Sequence, residues 1–255
     1  KLLLETGGYT AKQVVVGSSN DSDTFDAVLD LGDQGITLTA DTLVIGSNFN
    51  SEGTVRSSST SNCASGGACF SEIVIHNGVE VGSQGVGQLL LADAHLNFAS
   101  SSTPASYLEV AGIPGAVGRV VLSDLSFANF SNDVRIGVFG EASISLLSSS
   151  SLSGKRLILA DNAVSTATVR VDNDAGVLSS ILLADDEAIV GVRGTALVTL
   201  VHGGQFDVGR SDLGETGKDL TLGEEADGSG TLVMEQGASE DVGPKLDVSG
   251  TLTVG

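Results

Sequence analysis

Residues 220–255 read LTLGEEADGSGTLVMEQGASEDVGPKLDVSGTLTVG. The stretch opens on Leu220-Thr221-Leu222-Gly223 and closes on Leu252-Thr253-Val254-Gly255, so one apolar–polar–apolar–Gly phrase returns within it. Between the two copies lies a second apolar run, Leu232-Val233-Met234, with Gly-rich connections on either side. Read as one repeat, this stretch predicts that the rest of the chain consists of variations on it.

Apolar triplets followed by Gly, Ala-Asp or Ser-Asp do recur upstream. They are Val14-Val15-Val16-Gly17, Leu43-Val44-Ile45-Gly46, Leu89-Leu90-Leu91-Ala92-Asp93 and Val120-Val121-Leu122-Ser123-Asp124, then Leu157-Ile158-Leu159-Ala160-Asp161 and Ile181-Leu182-Leu183-Ala184-Asp185. The longest interval contains residues 47–70, which are rich in Ser, Asn and Gly. Taking that segment as an inserted loop leaves a unit of roughly two dozen residues, the length of one short solenoid repeat. A second strand is expected in each unit, at Ile73-Val74-Ile75, Leu108-Glu109-Val110, Ile144-Ser145-Leu146, Val169-Arg170-Val171, Val198-Thr199-Leu200 and Leu232-Val233-Met234. A third is clearest at Val79-Glu80-Val81-Gly82, Phe206-Asp207-Val208-Gly209 and Glu240-Asp241-Val242-Gly243, the last two matched through Gly203 and Gly237. Short period-2 runs punctuated by Gly, Asn and Asp are strands with turns between them, and no helical stripe interrupts them.

Three short strands per unit predict an all-β chain, a single-stranded right-handed parallel β-helix. Each strand pairs with its counterparts above and below, and stacking neighbours bury what one coil cannot bury alone. The expectation is one continuous segment over residues 1–255, about 8–11 coils long, with its loop insertion at 47–70 and with corners made by Gly and Asx-turns. Because the chain begins inside an apolar run and stops on a strand phrase, it is expected to be an internal segment of a longer protein.

The bulk composition bounds function by exclusion. Thirty-two acidic residues against 12 basic ones give a net charge of −20, and there are 34 Gly, 3 Pro and no Trp. A phosphate-backbone binder needs clustered Lys and Arg, so no nucleic-acid partner is expected. The same deficit argues against anionic membrane surfaces, and no apolar run is long enough to span a bilayer, so no membrane insertion of this segment is expected. The two cysteines, Cys63 and Cys69, enclose small flexible residues that let a tight loop close, so a disulfide is expected. That pairing implies an oxidising, extracytoplasmic setting.

The phrases GSGTLVMEQGASEDVG (228–243) and VSGTLTVG (248–255) resemble the Gly-rich β-helix repeats of type V secreted autotransporter passengers and related large bacterial surface adhesins. The similarity extends over most of the chain as a pattern. It implies a right-handed β-helix, export to the bacterial cell surface or beyond, and roles in adhesion, self-association or biofilm. It also implies a C-terminal membrane barrel, which is not among these residues. Passengers that are proteases carry a Gly-Asp-Ser-Gly type motif, and none is found.

The candidate chemistry is sparse. Asp93, Asp124, Asp161 and Asp185 follow apolar triplets and, stacked in successive coils, would make either a calcium edge or, preferably, a row of Asx-turn corners. Asn20, Asp21, Asp23 and Asp26 form a denser acidic loop without the spacing of an EF-hand. His76 and His202 each precede Gly at comparable repeat positions, and His95 reads as a half-buried strand residue. Asp185-Asp186 is an adjacent acidic pair that could be set against a sugar, while Arg135, Arg156, Arg170, Arg193 and Arg210 are scattered. No catalytic, cofactor-binding or metal residue is assigned, and no cofactor is expected. A loop stapled by Cys63 and Cys69 on a rigid column is a candidate recognition element, with Asn62, Ser65, Gly66 and Phe70 as its contact residues.

The leading expectation is a non-enzymatic surface adhesin segment whose partners are itself, a host matrix protein or a surface glycan. A structural subunit of an extracellular filament or sheath is the alternative. A polysaccharide-degrading β-helix enzyme comes third, requiring a cleft with clustered carboxylates and a basic residue.

Overall fold

The structure is a computed structural model and describes residues 1–4, 7–18, 25–32, 35–58, 70–98, 106–173, 179–209, 217–236 and 243–255. Every regular element among them is a β-strand. In chain order these are β1 (Leu2–Leu3), β2 (Gly8–Val16), β3 (Phe25–Asp30), β4 (Thr37–Ile45), β5 (Ser51–Arg56), β6 (Ser71–Val81), β7 (Val86–Ala92), β8 (Ala94–Phe98), β9 (Tyr107–Val110), β10 (Val117–Ser123), β11 (Phe127–Asn129) and β12 (Val134–Ile136). They continue as β13 (Glu141–Leu147), β14 (Ser151–Leu159), β15 (Thr166–Asp172), β16 (Ile181–Val190), β17 (Thr195–Val201), β18 (Gln205–Val208), β19 (Asp219–Leu222), β20 (Ser229–Glu235), β21 (Lys245–Val248) and β22 (Leu252–Val254).

The chain alternates between two parallel sheets. A nine-stranded sheet runs β1-β3-β5-β7-β10-β13-β15-β17-β20, and the other strands form a thirteen-stranded sheet. Long strands such as β4 and β14 cross the second sheet in one piece, with a register slip at Ala40/Thr42 or Gly154/Arg156. Pairs such as β8 and β9 cross it in two pieces against the same long neighbour. The second sheet therefore has a leading and a trailing half that meet at a kink. One pass through the first sheet and both halves of the second makes a winding, and each winding lies in parallel register on the one before. The result is a solenoid-like column.

Alternation along each strand fills the column. In the nine-stranded sheet Leu29, Val55, Leu89, Val120, Ile144, Val169 and Val198 stack in register, all buried. Leu43, Val79, Leu108, Val134, Leu157, Ala188 and Leu220 do the same in the trailing half. Aliphatic side chains meeting their own kind leave few gaps, and one hydrophobic cluster extends from Leu4 to Leu220.

The glycine that follows an apolar triplet has a geometric cause. After the last trailing-half residue the backbone turns through a left-handed residue at Gly17, Gly46, Gly82, Ala111, Gly137, Ala160, Gly191 and Gly223, with φ between 53° and 79°. This conformation costs an L-residue energy that glycine does not incur. The corner also leaves no room. A Cβ on Gly46 would lie 2.4 Å from the Val86 carbonyl oxygen of the next winding. The facing position in the nine-stranded sheet is accordingly small in each of the eight strands from β3 to β20: Ala27, Gly53, Gly87, Gly118, Ala142, Ala167, Ala196 and Gly230 are in register.

The predicted period holds at the C-terminus, where Leu220, Thr221 and Leu222 pair with Leu252, Thr253 and Val254. Elsewhere the phase needs correction. The triplets at Leu89 and Val120 lie in the nine-stranded sheet, whereas those at Val14, Leu43, Leu157 and Leu220 lie in the trailing half and Ile181 opens the leading half. They do not form one ladder. The segment at 47–70 is not one insertion, because residues 51–56 form β5 inside the nine-stranded sheet. Phe206-Asp207-Val208 is in register with Leu246-Asp247-Val248, and the expected match at Glu240-Asp241-Val242 lies outside the described residues.

Candidate functional site

Parallel stacking turns each outward strand position into a row along the column. On the leading half of the thirteen-stranded sheet one such row reads Glu72, His95, Phe127, Ser151, Ile181, Gln205 and Lys245. The next outward row reads Asn129, Ser153, Leu183, Asp207 and Asp247. The inward neighbours Ala128, Leu152, Leu182 and Phe206 are buried in the core, and this anchoring fixes which side chains face out.

The first row carries a stack of rings. Phe70, which enters β6, lies over His95 with ring centroids 4.2 Å apart, and His95 lies over Phe127 at 3.7 Å. Phe70 remains 43% exposed. Burial between the two rings lowers the His95 pKa, against the opposing pull of Glu72 and Asp93. Neutral imidazole is therefore favoured in the stack.

Beyond Phe127 the two rows border a groove of about 360 Å³. Its sides are Asn129, Ser151, Ser153, Gln205, Asp207, Lys245 and Asp247, and Ile181 and Leu183 give it an aliphatic floor. The polar groups are held in place by one another. The Ser153 hydroxyl donates to Asn129 Oδ1 at 2.7 Å, and Gln205 Nε2 donates to Asp207 at 2.7 and 2.8 Å. Lys245 Nζ lies 3.4 Å from Asp247.

Of the expected recognition-loop residues, Phe70 is the one described, stacked on His95 just before β6. Asn62, Ser65 and Gly66, with Cys63 and Cys69, lie outside the described residues, as do Asn20, Asp21, Asp23 and Arg210. The four aspartates expected to stack do not form one row. Asp93 and Asp124 follow strands of the nine-stranded sheet, Asp161 follows β14 at the opposite corner, and Asp185 lies within β16. Only the first two are neighbours, the Asp93 N–H donating to the Asp124 carbonyl at 3.1 Å. His76 and His202 are not equivalent either: His76 sits within β6 and His202 in the turn after β17.

Most ion pairs among the described residues link neighbouring windings. Burial works against ionising Asp172, but hydrogen bonds from His202, at 2.9 Å, and from Arg170 outweigh it and hold its pKa below the ordinary value. Asp30 follows the same pattern, with burial outweighed by Arg56, the Gly32 N–H and Lys1, and its pKa falls to about 2. Asp186 is not a facing partner for Asp185, because it pairs with Lys218 and Lys155. Arg135 pairs with Asp161, and Arg156 with Asp133. On the trailing half Glu80 and Glu109 are register neighbours. Glu80 accepts from Tyr107 Oη at 3.0 Å and Ser83 Oγ at 2.8 Å. Burial raises the Glu109 pKa, Arg135 pulls it back, and Glu80 and Asp161 reinforce the rise. Among the described residues no three His, Cys, Asp or Glu side chains are grouped as a metal ion would require.

The groove residues were not singled out in the sequence. The one signal that marks them is the shared x-Φ-Asp-Val pattern at 205–208 and 245–248, which places Asp207 beside Asp247. No protein-family model, curated protein or solved structure matches this chain.

Proposed function

We propose that this chain is a non-enzymatic attachment segment of a bacterial surface or secreted protein of the autotransporter-passenger type. Its scaffold is a right-handed parallel β-helix of nine windings, each with three strand segments that run on into one another where a long strand crosses both halves of the second sheet. At the ~4.8 Å rung spacing the column is about 40 Å long. The observation that carries the reading is the continuous outward strip on the leading half, where exposed Phe70 and half-buried His95 and Phe127 give way to a polar-sided groove crossing several windings. A rigid column that repeats its outward positions presents an extended binding face, the use that solenoid surfaces serve generally. The acidic surface, at a net charge of −20, keeps single copies soluble and apart until a specific contact forms.

The test is to display the chain on a bacterium that neither settles nor attaches by itself. Attachment to matrix-coated or glycan-coated surfaces, or settling through self-association, above the empty display control is the expected result. Neither attachment nor settling, with the chain shown at the surface by antibody, overturns the reading.

A further inference from the structure

Building on the attachment reading, we infer that the groove along β11, β14, β16, β18 and β21 binds an uncharged glycan chain lying parallel to the column axis. Its dimensions suit a linear ligand. The lining spans five successive windings, which at ~4.8 Å per rung is about 20 Å of continuous track. Its volume of about 360 Å³ falls in the range of small-ligand sites.

The chemistry of the lining selects the class. A pyranose has apolar C–H faces and an equator of hydroxyls. Ile181 and Leu183 offer aliphatic surface to the first, while Asn129, Ser153, Gln205 and Asp207 offer hydrogen-bonding groups to the second. Each sugar hydroxyl is both donor and acceptor, and amide, hydroxyl and carboxylate groups side by side satisfy both. The bonds from Ser153 to Asn129 and from Gln205 to Asp207 hold these groups before a ligand arrives, which lowers the entropy lost on binding.

Charge and backbone remove the competing classes. The groove carries Asp207 and Asp247 against the single cation Lys245, on a chain of net charge −20, so an acidic polymer is repelled. The floor is the face of a sheet, with strand edges already paired to neighbours on both sides in β14, β16 and β18. Along those three strands an extended peptide finds no backbone edge to augment, and edge hydrogen bonding is the main source of affinity in that mode.

The experiment uses the whole purified chain in titration calorimetry. The probes are β-1,4-linked glucose oligomers, β-1,4-linked N-acetylglucosamine oligomers, polygalacturonate, and an uncharged Ser/Thr-rich peptide of similar length. At least one neutral oligomer series is expected to bind, with affinity rising with length up to the span of the groove and changing little with salt. Leu183→Arg, which fills the floor, and Asp207→Ala are each expected to weaken that binding tenfold or more. Arg119→Ala, on the outward face of the nine-stranded sheet, leaves it unchanged. Circular dichroism establishes that each variant is folded, and the two groove variants act independently should one misfold. Absence of binding to both neutral series, binding only to polygalacturonate or the peptide, or neutral binding untouched by both groove variants overturns the inference. If the displayed chain still attaches cells while the groove variants leave attachment intact, the glycan groove is refuted and the attachment reading survives.

Discussion

Replacing Gly87 with Val attacks the contact on which the stacking of windings depends. Gly87 lies in the small row of the nine-stranded sheet and faces the corner where β4 and β6 end. A Cβ there would sit 2.1 Å from the Gly82 nitrogen and 2.5 Å from the Ile45 carbonyl oxygen. Those two atoms are partners in a 2.7 Å hydrogen bond between windings. Neither belongs to a side chain that can swing away. Non-bonded contact requires roughly 3.5–4 Å, so the corner must shift by more than an ångström or the bond must open. Overpacking of this kind costs about 1–3 kcal/mol, and a buried pair left unmade costs about 1–3 kcal/mol more. The expected loss is about 2–6 kcal/mol, a large share of the ~5–15 kcal/mol that holds a typical domain. Urea unfolding followed by far-UV circular dichroism measures it, with Gln88→Val as the control. Gln88 is the next residue on the same strand and points outward, so its replacement should cost within about 0.5 kcal/mol. A Gly87→Val chain that unfolds at the same urea concentration as the control would refute the reasoning.

Other substitutions probe other links. Leu125→Gly should stabilise by about 0.5–1 kcal/mol in the same assay, because an exposed leucine is held at φ 65°, where glycine is relaxed. Asp30→Asn should destabilise by about 1 kcal/mol, allowing for solvent around the half-exposed Arg56. The Asp30 contribution is present above the ordinary value of 3.8 and lost as pH falls through about 2, so wild type and variant should converge in strong acid. Glu109→Gln has the opposite sign. Its raised pKa means that ionised Glu109 weakens the fold as pH climbs past its ordinary value, so the variant should be the more stable chain at neutral pH and match wild type in acid.

The strands and corners were legible in the sequence because each is a local matter. Alternating Leu, Val and Ile mark an inward row, and the glycine after a triplet marks a left-handed turn with no space for a side chain. The order of pairing was not local. The chain bends at three places in every winding, and each bend favours Gly, Ala or Asp after an apolar run. Ile45-Gly46, Leu91-Ala92-Asp93 and Leu183-Ala184-Asp185 therefore look alike while occupying three different sides of the column. The same ambiguity hid β5 within residues 47–70, since Ser51, Gly53 and Thr54 suit a loop as well as the small row. The candidate groove was harder still to see. Asn129, Ser153, Leu183, Asp207 and Asp247 are far apart in sequence, and singly each is an ordinary solvated strand residue. Only the register of five windings brings them together. Phe70 stands beside the one conspicuous irregular segment, but His95 stacks on it, and Phe127 on His95, only because the windings bring them together.

All of these rows rest on the parallel register, and a pair of engineered cysteines tests it most directly. Ser143 in β13 and Thr168 in β15 are register partners on the outward face. With Cys63 and Cys69 changed to Ser, cysteines at 143 and 168 lie about 5 Å apart between Cα atoms, within the range that a disulfide bridges. Mild oxidation should join them within one chain, seen by mass spectrometry, while cysteines at 143 and 197, two rungs apart in the same row, remain reduced. Failure of the 143–168 pair to join in a folded chain, or a preference for the 143–197 pair, would contradict the winding and every row derived from it.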